Sequence, residues 1–471
     1  MKCNLIKLLR CIIIVAITVV GINIVVFLKT PQTQTDVYDQ SFRHGQHPVE
    51  GNIRTSKVSV SPRIVTLNST TKCPGLQMRQ PRPAGEFQVA GHNIYVYSVY
   101  LDEKQAKIIA LLENDNRNVM LTCQMWFHVQ DSDPLFVTTA DVHFMPEDHG
   151  RRYGAAFISC NIPDNMMKDT LYAVSLVTGI ECGVPSNILF LPRLGKMESQ
   201  FTVCVTPFNY RYSRAYELVE MIELNKLLGA EKFVFYNHST GPNVDKVLEL
   251  YSQTDEVLVL PWHLPMNTDT WPPTVEPEIH YFAQVAALND CLYRHRYRSK
   301  YLVYQDLDEF IIPRKHDTWT ELLQERESKT GIKSAYQFKC VFFRKEWPRP
   351  LKEFETVAKQ YRSVVLTNTM REKSYLMYNS RSKYIVNPRL TSEVGVHQVW
   401  KSSHETDAVS EEDASLHHYR NWERPSEQIP TMVDEIVNKY GSRLVNKLQE
   451  VWSKLEGVPM DIDISTYGPY V

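Results

Sequence analysis

A short apolar run at residues 301–304 leads directly into three carboxylates, Asp306, Asp308 and Glu309. On an extended chain, side chains two residues apart point to the same side, so Asp306 and Asp308 are expected to project together. Two carboxylates held this close repel each other unless one is protonated or a cation lies between them. Hard divalent cations take oxygen ligands and often share carboxylates with substrate phosphates. The spacing therefore favours a metal–diphosphate site, with a solvated acidic turn as the alternative.

The elements around these carboxylates alternate between strand and helix from residue 200 onwards. The predicted strands cover 201–206, 232–236, 256–260 and 301–304, and the helices between them cover 213–229, 245–251 and 277–296. Such alternation indicates a parallel α/β sheet, in which ligands bind beyond the carboxyl ends of the strands. The acidic cluster follows the fourth strand, which strengthens the prediction of a ligand site. Neither a dinucleotide-binding nor a P-loop glycine motif follows the first strand.

The region before this alternation has a different pattern. Residues 85–195 contain many short strand-like runs separated by turn signals, which predicts a small β-sandwich-like domain ending near Gly195. Residues 29–84 are rich in Thr, Gln, Ser and Pro and are predicted to form a flexible stem. The α/β domain is expected to span 198–471.

The N-terminus of the 471-residue chain predicts a membrane anchor. Residues 11–28 carry no charge and are long enough to cross a bilayer. Positive charge is more frequent before this segment than just after it, so residues 1–10 are expected to be a cytoplasmic tail. No small-residue cleavage site follows, which favours an uncleaved anchor over a signal peptide.

Composition adds a few bounds. The formal net charge of −2 gives no reason to expect a nucleic-acid partner. Acceptor sequons for N-glycosylation begin at Asn68 and Asn237, and Asn68 is the better candidate because Asn237 directly follows a predicted buried strand. The chain has nine cysteines, some of which should pair in an oxidising compartment.

Several segments together resemble glycosyltransferase family 92. They include Cys204-Val-Thr-Pro-Phe-Asn209, Asp306-Leu-Asp-Glu-Phe-Ile-Ile-Pro313, Lys383-Tyr-Ile-Val-Asn-Pro388 and Leu416-His-His-Tyr-Arg420. The resemblance covers about 200–425 and implies a GT-A (Rossmann-like) fold in a single-pass type II protein of the Golgi membrane, with its catalytic domain in the lumen. It further implies an inverting β-galactosyltransferase that uses UDP-galactose and Mn²⁺ or Mg²⁺. The implied acceptor is a glycan on a glycoprotein. The transferred galactose would form a β-1,4 linkage to a terminal galactose or fucose of N-glycans.

This resemblance assigns roles to the carboxylates. We expect Asp308 to bind the metal directly and Asp306 to reach the ribose, or the metal through water. The cation would neutralise the diphosphate as UDP leaves. One late histidine is expected to complete the metal site, His397 first, with His417 and His418 as alternatives.

The donor pocket should lie at the strand ends. The predicted donor-binding residues are Thr206, Pro207, Tyr236, Asn237, Asn289, Asp290, Asp306 and Lys383. Turn chemistry is the simpler interpretation for Pro207, and Asp290 could instead pair with Arg294 four residues later on a helix.

An inverting enzyme needs a base that deprotonates the acceptor hydroxyl. Glu346, Glu372 and Glu393 are the candidates, and the sequence does not single one out. Two other functions stay open at this stage: a catalytically inactive glycan-binding protein and a metal-dependent phosphohydrolase. The phosphohydrolase is disfavoured because the other strand ends lack further clusters of Asp and His. A homodimer is left open.

Overall fold

The computed structural model describes residues 85–129, 135–179, 184–193, 195–421 and 429–463. All of them belong to one compact unit, residues 51–471. The predicted tail, anchor and stem, and the sequon at Asn68, lie outside the described residues. Within the ranges just given, no helix is both long and apolar enough to cross a membrane.

The N-terminal part of the described chain is built from eight strands. They are β1 (Gln88–Gly91), β2 (Ile94–Asp102), β3 (Gln105–Glu113), β4 (Leu121–Phe127), β5 (Leu135–Phe144), β6 (Tyr153–Asn161), β7 (Leu171–Thr178) and β8 (Leu189–Phe190). They form one sheet in the order β1-β2-β3-β6-β5-β4-β7-β8, and all neighbouring strands are antiparallel.

This sheet folds over on itself. Apolar side chains of β2, β3 and β6 share one buried cluster with those of β4 and β7. The side chain of Gln88 in β1 exchanges two hydrogen bonds with the backbone of Ile188, just before β8, so the two ends of the sheet meet. A disulfide between Cys123 and Cys160 links β4 to β6. The strands therefore enclose one apolar core, in the manner of a sandwich.

The second sheet has seven strands and holds the predicted α/β core. Its strands are β9 (Ser199–Cys204), β10 (Lys232–Asn237), β11 (Val257–Pro261), β12 (Ser299–Tyr304), β14 (Ala335–Phe338), β17 (Lys383–Val386) and β20 (Thr406–Val409), in the order β11-β10-β9-β12-β17-β14-β20. The four strands β9 to β12 are parallel. The alternation seen in the sequence is confirmed, because these four strands correspond to the four predicted ones.

Three helices connect the parallel strands: α1 (Ala215–Leu228), α2 (Pro242–Ser252) and α3 (Gln284–His295). Helix α1 ends at Gly229, whose φ of 118° lies in the region that favours glycine. Cys204 at the end of β9 forms a disulfide with Cys291 in α3, which fixes this helix against the first parallel strand.

A third sheet of five strands was not predicted. It contains β13 (Glu309–Pro313), β15 (Cys340–Arg344), β16 (Met370–Glu372), β21 (Ala414–Arg420) and β22 (Thr431–Val433), in the order β13-β21-β15-β16-β22. The remaining elements are the hairpin strands β18 (Thr391–Val394) and β19 (Val399–Ser402) and the helices α4 (Trp319–Thr330), α5 (Glu355–Gln360), α6 (Val364–Thr367) and α7 (Gly441–Lys454). Strand β13 begins with Glu309, the last carboxylate of the acidic cluster, so this sheet forms one wall of the site.

The N-terminal sheet has a buried core of its own, and it shares a second buried cluster with the α/β part across the predicted boundary near residue 195. Tyr97 and Phe157 from the N-terminal sheet belong to the same buried cluster as Trp262 and Leu288 from the α/β part. Helix α3 lies within this cluster, and most of its residues are buried. The two parts of the chain are therefore packed as one body around α3.

Candidate active site

Asp306 and Asp308 lie in the turn that joins β12 to β13, and Glu309 is the first residue of β13. Strand β12 ends at Tyr304, and the backbone N–H of Glu309 donates to the Asp306 carbonyl at 3.3 Å to close the turn. The expectation that Asp306 and Asp308 point the same way assumed an extended chain and is wrong. The turn sends the two carboxylates to different partners.

Asp306 faces two neighbouring strands of the central sheet. Its Oδ1 accepts a hydrogen bond from Thr206 Oγ1 at 2.8 Å, and its Oδ2 accepts one from Lys383 Nζ at 2.8 Å. Thr206 follows β9, and Lys383 is the first residue of β17. Strands β9 and β17 flank β12 on either side, so the sheet order brings these three residues together.

Asp308 and Glu309 share one histidine. His418 Nε2 lies 3.4 Å from Asp308 Oδ2, and His418 Nδ1 lies 3.2 Å from Glu309 Oε1. The antiparallel register of β13 and β21 pairs Glu309 with His418, which places both side chains on the same face. Glu309 also turns back into the protein, where its Oε2 accepts from the backbone N–H of Asp306 at 2.9 Å.

The three carboxylates are balanced by internal cations. Burial alone would lower the pKa of His418, but the carboxylates of Asp308 and Glu309 raise it to about 10, so this imidazole is charged at neutral pH. Burial alone would raise the pKa of Asp308, but His418 holds it well below its ordinary value. Lys383, whose side chain is only 2% exposed, lies 3.4 Å from Glu309 Oε2 as well as beside Asp306. Repulsion between the carboxylates is therefore no longer an argument for a metal by itself.

The side chains of the acidic cluster still fit a cation that is coordinated partly by the protein and partly by a diphosphate. The Asp308 side chain is 31% exposed, so its carboxylate can bind a ligand at the surface of the cluster. Across the described ranges, no group of three or more His, Cys, Asp or Glu side chains is arranged to hold a metal alone. Magnesium-type ions usually take one or two protein carboxylates together with substrate phosphates.

The three candidate histidines lie in different surroundings. His397 lies between β18 and β19, and its Nδ1 is 3.3 Å from the Ser382 carbonyl. Burial and the nearby Lys383 lower the pKa of His397 to about 3, so its ring is neutral. If Nδ1 donates to that carbonyl, Nε2 keeps the lone pair that a metal requires.

His417 points away from the cluster. In β21 it alternates with His418, so it lies on the opposite face of the strand, where its ring stacks on Phe343 with a centroid distance of 4.4 Å. It is fully buried there. The contacts of His417 give no support to a metal role. His418 faces the cluster but is engaged with Asp308 and Glu309.

Three predicted donor residues are buried in the body of the protein. Asp290 accepts hydrogen bonds from Tyr236 at 2.7 Å and Tyr100 at 2.6 Å and pairs with Arg294 at 2.9 Å. Asn289 bonds both backbone groups of Val394. Tyr236, Asn289 and Asp290 are all fully buried, so they connect α3 to its neighbours, and no contact supports a donor role for them. The ion pair between Asp290 and Arg294 agrees with the alternative to donor binding that the sequence offered, a pair four residues apart on one helix.

The remaining donor candidates lie at the carboxyl ends of β9 and β10. Thr206 contacts Asp306, and Pro207 directly follows it. Asn237, at the end of β10, donates to Thr240 Oγ1 at 2.9 Å. Together with Lys383 these residues surround the edge of the sheet from which the acidic turn projects. They stay predictions for the donor pocket.

The three candidate bases differ in exposure. Glu372 is buried and paired with Arg344, whose Nε donates to its Oε1 at 2.7 Å. Glu393 is buried and paired with Lys401 at 2.7 Å and with His143 at 3.0 Å. Glu346 is exposed, in the turn after β15. Of the three, Glu346 has the carboxylate that solvent reaches most readily.

Sequence reasoning missed a second charged group beside Asp308. Glu217, near the start of α1, is buried and pairs with Lys345 at 2.7 Å and Arg214 at 3.2 Å. Both cations also help to lower the pKa of Asp308, after the effects of burial and His418. No sequence motif marks these residues, since α1 and β15 are more than a hundred positions apart.

Comparison with known proteins gives one family. The model of glycosyltransferase family 92 matches residues 199–456, more than half of the chain. A Caenorhabditis elegans protein described as β-1,4-galactosyltransferase galt-1 is 24% identical over 187 residues, which are 37% of this chain and 42% of that protein. Glycosyltransferase family 92 protein F13G3.3 of the same organism is 25% identical over 119 residues, covering 25% of this chain and 23% of that protein. The chain thus spans less than half the length of the relatives it matches.

Solved structures overlap only weakly. Staphylococcus aureus TarS 1-349 in complex with UDP has a TM-score of 0.27 at 10% identity, over 47% of this chain and 60% of that chain. Glucosyl-3-phosphoglycerate synthase from Mycobacterium tuberculosis has a TM-score of 0.24 at 12% identity, over 55% and 81% of the two chains. Overlaps at this level carry no argument about the ligand.

Proposed function

Because the chain belongs to glycosyltransferase family 92, we propose that it transfers galactose from UDP-galactose to a glycan hydroxyl with inversion at the anomeric carbon. The acceptor is a glycoprotein glycan ending in galactose or fucose, and the new bond is a β-1,4 linkage. Support for the donor and linkage comes from the relative described as a β-1,4-galactosyltransferase. The proposed fold of the catalytic part is GT-A.

The observation that carries this proposal is the acidic turn at the carboxyl edge of the parallel sheet. Asp306 and Asp308 lie where ligands of α/β sheets bind, next to the strand ends that hold Thr206 and Asn237. A nucleotide diphosphate placed there would lie beside Asp308, on which Lys345 and Arg214 act, while Lys383 is buried against Asp306 and Glu309. These cations favour a leaving group whose negative charge grows as the glycosidic bond to UDP breaks.

The proposed metal is Mn²⁺ or Mg²⁺. Asp308 and the neutral His397 would hold it, with Asp306 contributing directly or through water, and the diphosphate would supply the remaining ligands. When bound, the cation neutralises the charge of departing UDP.

The acceptor hydroxyl needs a base on the face of the sugar opposite to UDP, since inversion is a direct displacement. We assign this role to Glu346, because it is the most exposed of the three candidates, whereas Glu372 and Glu393 are buried. The Glu346 carboxylate takes the proton, the acceptor oxygen bonds to the anomeric carbon, and the bond to UDP breaks.

The compartment follows from the same proposal. The uncharged segment 11–28 would anchor the chain in the Golgi membrane with its catalytic part in the lumen. The disulfides Cys123–Cys160 and Cys204–Cys291 support an oxidising compartment.

The first test uses the full-length protein with UDP-galactose, Mn²⁺ and glycans that end in galactose or fucose. We expect UDP release together with a product one hexose heavier. If a folded protein binds these glycans but gives no product with any of them, the inactive glycan-binding alternative is favoured.

The second test is Asp308→Asn, which keeps the size of the side chain and removes its charge. We expect transfer to be lost in a protein that still folds and unfolds cooperatively, with a lower midpoint because His418 loses one of its two carboxylate partners. Asp164→Asn is the matched control, because Asp164 is an exposed carboxylate of the N-terminal sheet. Turnover retained by Asp308→Asn would contradict the metal assignment.

A further inference from the structure

The turn between β18 and β19, residues 395–398, is held by side chains from several distant elements. Asn289 of α3 donates to the Val394 carbonyl at 2.8 Å, just before the turn. The Tyr384 hydroxyl of β17 donates to the Gly395 carbonyl, and Gln337 of β14 donates to the His397 carbonyl at 2.9 Å. These contacts come from three separate elements and converge on a turn of four residues that is partly buried, so they point to a side chain that must be placed accurately.

The last of these supports comes from the N-terminal sheet. Glu147 follows β5, and its carboxylate accepts the backbone N–H of Val396 at 3.1 Å and the indole N–H of Trp400 at 2.9 Å. It thereby links the turn to strand β19, through contacts on either side of His397. A carboxylate is the acceptor that binds backbone N–H groups most strongly.

Two backbone features show that this contact is built into the fold. Glu147 has a φ of 75°, in the left-handed region that costs a non-glycine residue free energy. At position 395 a β-carbon would overlap both Glu147 Oε1 and Trp400 Nε1, so glycine leaves the space in which they meet. The strained backbone of Glu147 and the missing side chain at Gly395 both allow the Glu147 carboxylate to reach Trp400 and the turn.

We propose that Glu147 is a positioning residue for the transfer reaction: it holds the 395–400 hairpin turn so that His397 faces the Asp306–Asp308 turn. This inference rests on the proposed function, since it gives His397 the metal role described above. The N-terminal sheet then contributes directly to the active site, although the family match begins only at residue 199.

The expected effect follows from how residues behind a metal ligand act. They orient the ligand, and their loss commonly costs about 10- to 100-fold in metal affinity or activity. In Glu147→Ala the turn loses both of these hydrogen bonds while its other supports stay, so His397 is held less firmly relative to Asp308. Glu147→Gln keeps one acceptor oxygen and should lose much less, no more than about 10-fold.

The experiment measures Mn²⁺ binding to the full-length protein in the presence of UDP by isothermal titration calorimetry, alongside kcat and KM for UDP-galactose. We expect Glu147→Ala to weaken Mn²⁺ binding by about 10- to 100-fold, with Glu147→Gln between it and the wild type. The loss should appear in the Mn²⁺ concentration needed for half-maximal rate, and saturating Mn²⁺ should restore much of kcat.

Asp148→Ala is the matched control. Asp148 lies in the same loop, and its carboxylate accepts the N–H of Gly150 within that loop. It should change neither Mn²⁺ affinity nor turnover. If Glu147→Ala does not fold, Trp400→Phe tests the same contact, because it removes the indole donor, leaves a smaller aromatic ring and keeps the bond from Val396. Wild-type Mn²⁺ affinity in Glu147→Ala, or in Trp400→Phe when it replaces Glu147→Ala, would overturn the proposal.

Failure of this inference can be told apart from failure of the proposed function. If the wild type transfers galactose and binds Mn²⁺ but Glu147→Ala does both equally well, only the positioning role is lost. If the wild type transfers galactose but binds no Mn²⁺, the roles of His397 and Glu147 both fall. If the wild type transfers no sugar and binds no Mn²⁺ with UDP, the proposed function fails and the positioning role fails with it.

Discussion

Lys383 and His418 change the meaning of the three carboxylates at residues 306–309. From the sequence, a cluster of this kind needs an external cation. In the structure Lys383 and His418 supply positive charge from within the protein, and both are nearly inaccessible to solvent. A bound cation would therefore add positive charge to a cluster that is already balanced. Its main role would be to neutralise the charge of the diphosphate.

The Lys383 pairing can be tested through stability. Lys383→Met leaves the Asp306 carboxylate without its buried cation and leaves Glu309 with His418 as its remaining cationic partner. Breaking a buried ion pair on one side typically costs about 3–5 kcal/mol, so we expect a drop of that size in the free energy of unfolding. Urea denaturation measures it. Lys104→Met, at an exposed pair with Asp164, should stay close to the wild type.

His418 predicts a pH dependence of the metal-free protein. Its pKa is raised to about 10 in the folded state, against about 6.5 in an unfolded chain. Between these values the folded state binds more protons than the unfolded state, so the stability contributed by His418 is fully present below about pH 6.5 and is lost as the pH rises towards 10. Urea denaturation across this range, with a chelator present, should show a smaller decline for His418→Asn. An equal decline in both proteins would contradict the charged imidazole.

At the scale of single elements, sequence reasoning succeeded where the signal was local. The four parallel strands and the end of α1 at Gly229 follow from apolar runs and a glycine. The five-stranded sheet was missed because its strands have three to seven residues and pair across long stretches of chain. That missed pairing decides which histidine faces Glu309.

The same distinction between local sequence signals and contacts of distant elements holds for the residues of the candidate site. Thr206 and Asp306 were placed together by a rule about strand ends, and their hydrogen bond agrees with it. Glu147 and the Glu217–Lys345 pair were not found, because their roles depend on contacts between distant elements. Asn289 and Asp290 were expected at the donor, yet the amide and the carboxylate serve the packing of α3.

Helix α1 gives a prediction at this scale. Gly229 ends it with a φ of 118°, and a β-carbon there would meet only ordinary contacts with Phe201. Gly229→Ala should therefore cost backbone strain without a clash, about 1–2 kcal/mol in the free energy of unfolding. Gly229→Asn should cost less, because asparagine tolerates left-handed conformations better. Equal losses in the two variants would argue against backbone strain as the cause.

At the scale of the whole molecule, the N-terminal sheet and the α/β part share a core. The hydroxyls of Ser98 and Tyr100 bond Asp290, and Tyr97 packs on Trp262 with ring centroids 4.5 Å apart. Cutting the chain at 198 removes these partners and exposes the apolar face that they cover.

A fragment of residues 198–471 is therefore expected to aggregate or to bind a hydrophobic dye, whereas 85–471 should unfold cooperatively. Size-exclusion chromatography and dye fluorescence distinguish the two. A monomeric 198–471 fragment with a sharp unfolding transition would show that the shared core is dispensable.

The space at Gly395 has a consequence for the history of the chain. Any side chain at this position would push Glu147 and Trp400 apart. A change at one of the three sites therefore removes the contact that the other two residues make, or creates a steric clash with them. Across related sequences we therefore expect acid, glycine and tryptophan to be kept or replaced together. The loop after β5 and the β18–β19 hairpin should therefore change together between related proteins. Exchanging the N-terminal sheet between relatives should give a folded protein only when the matching hairpin is exchanged with it.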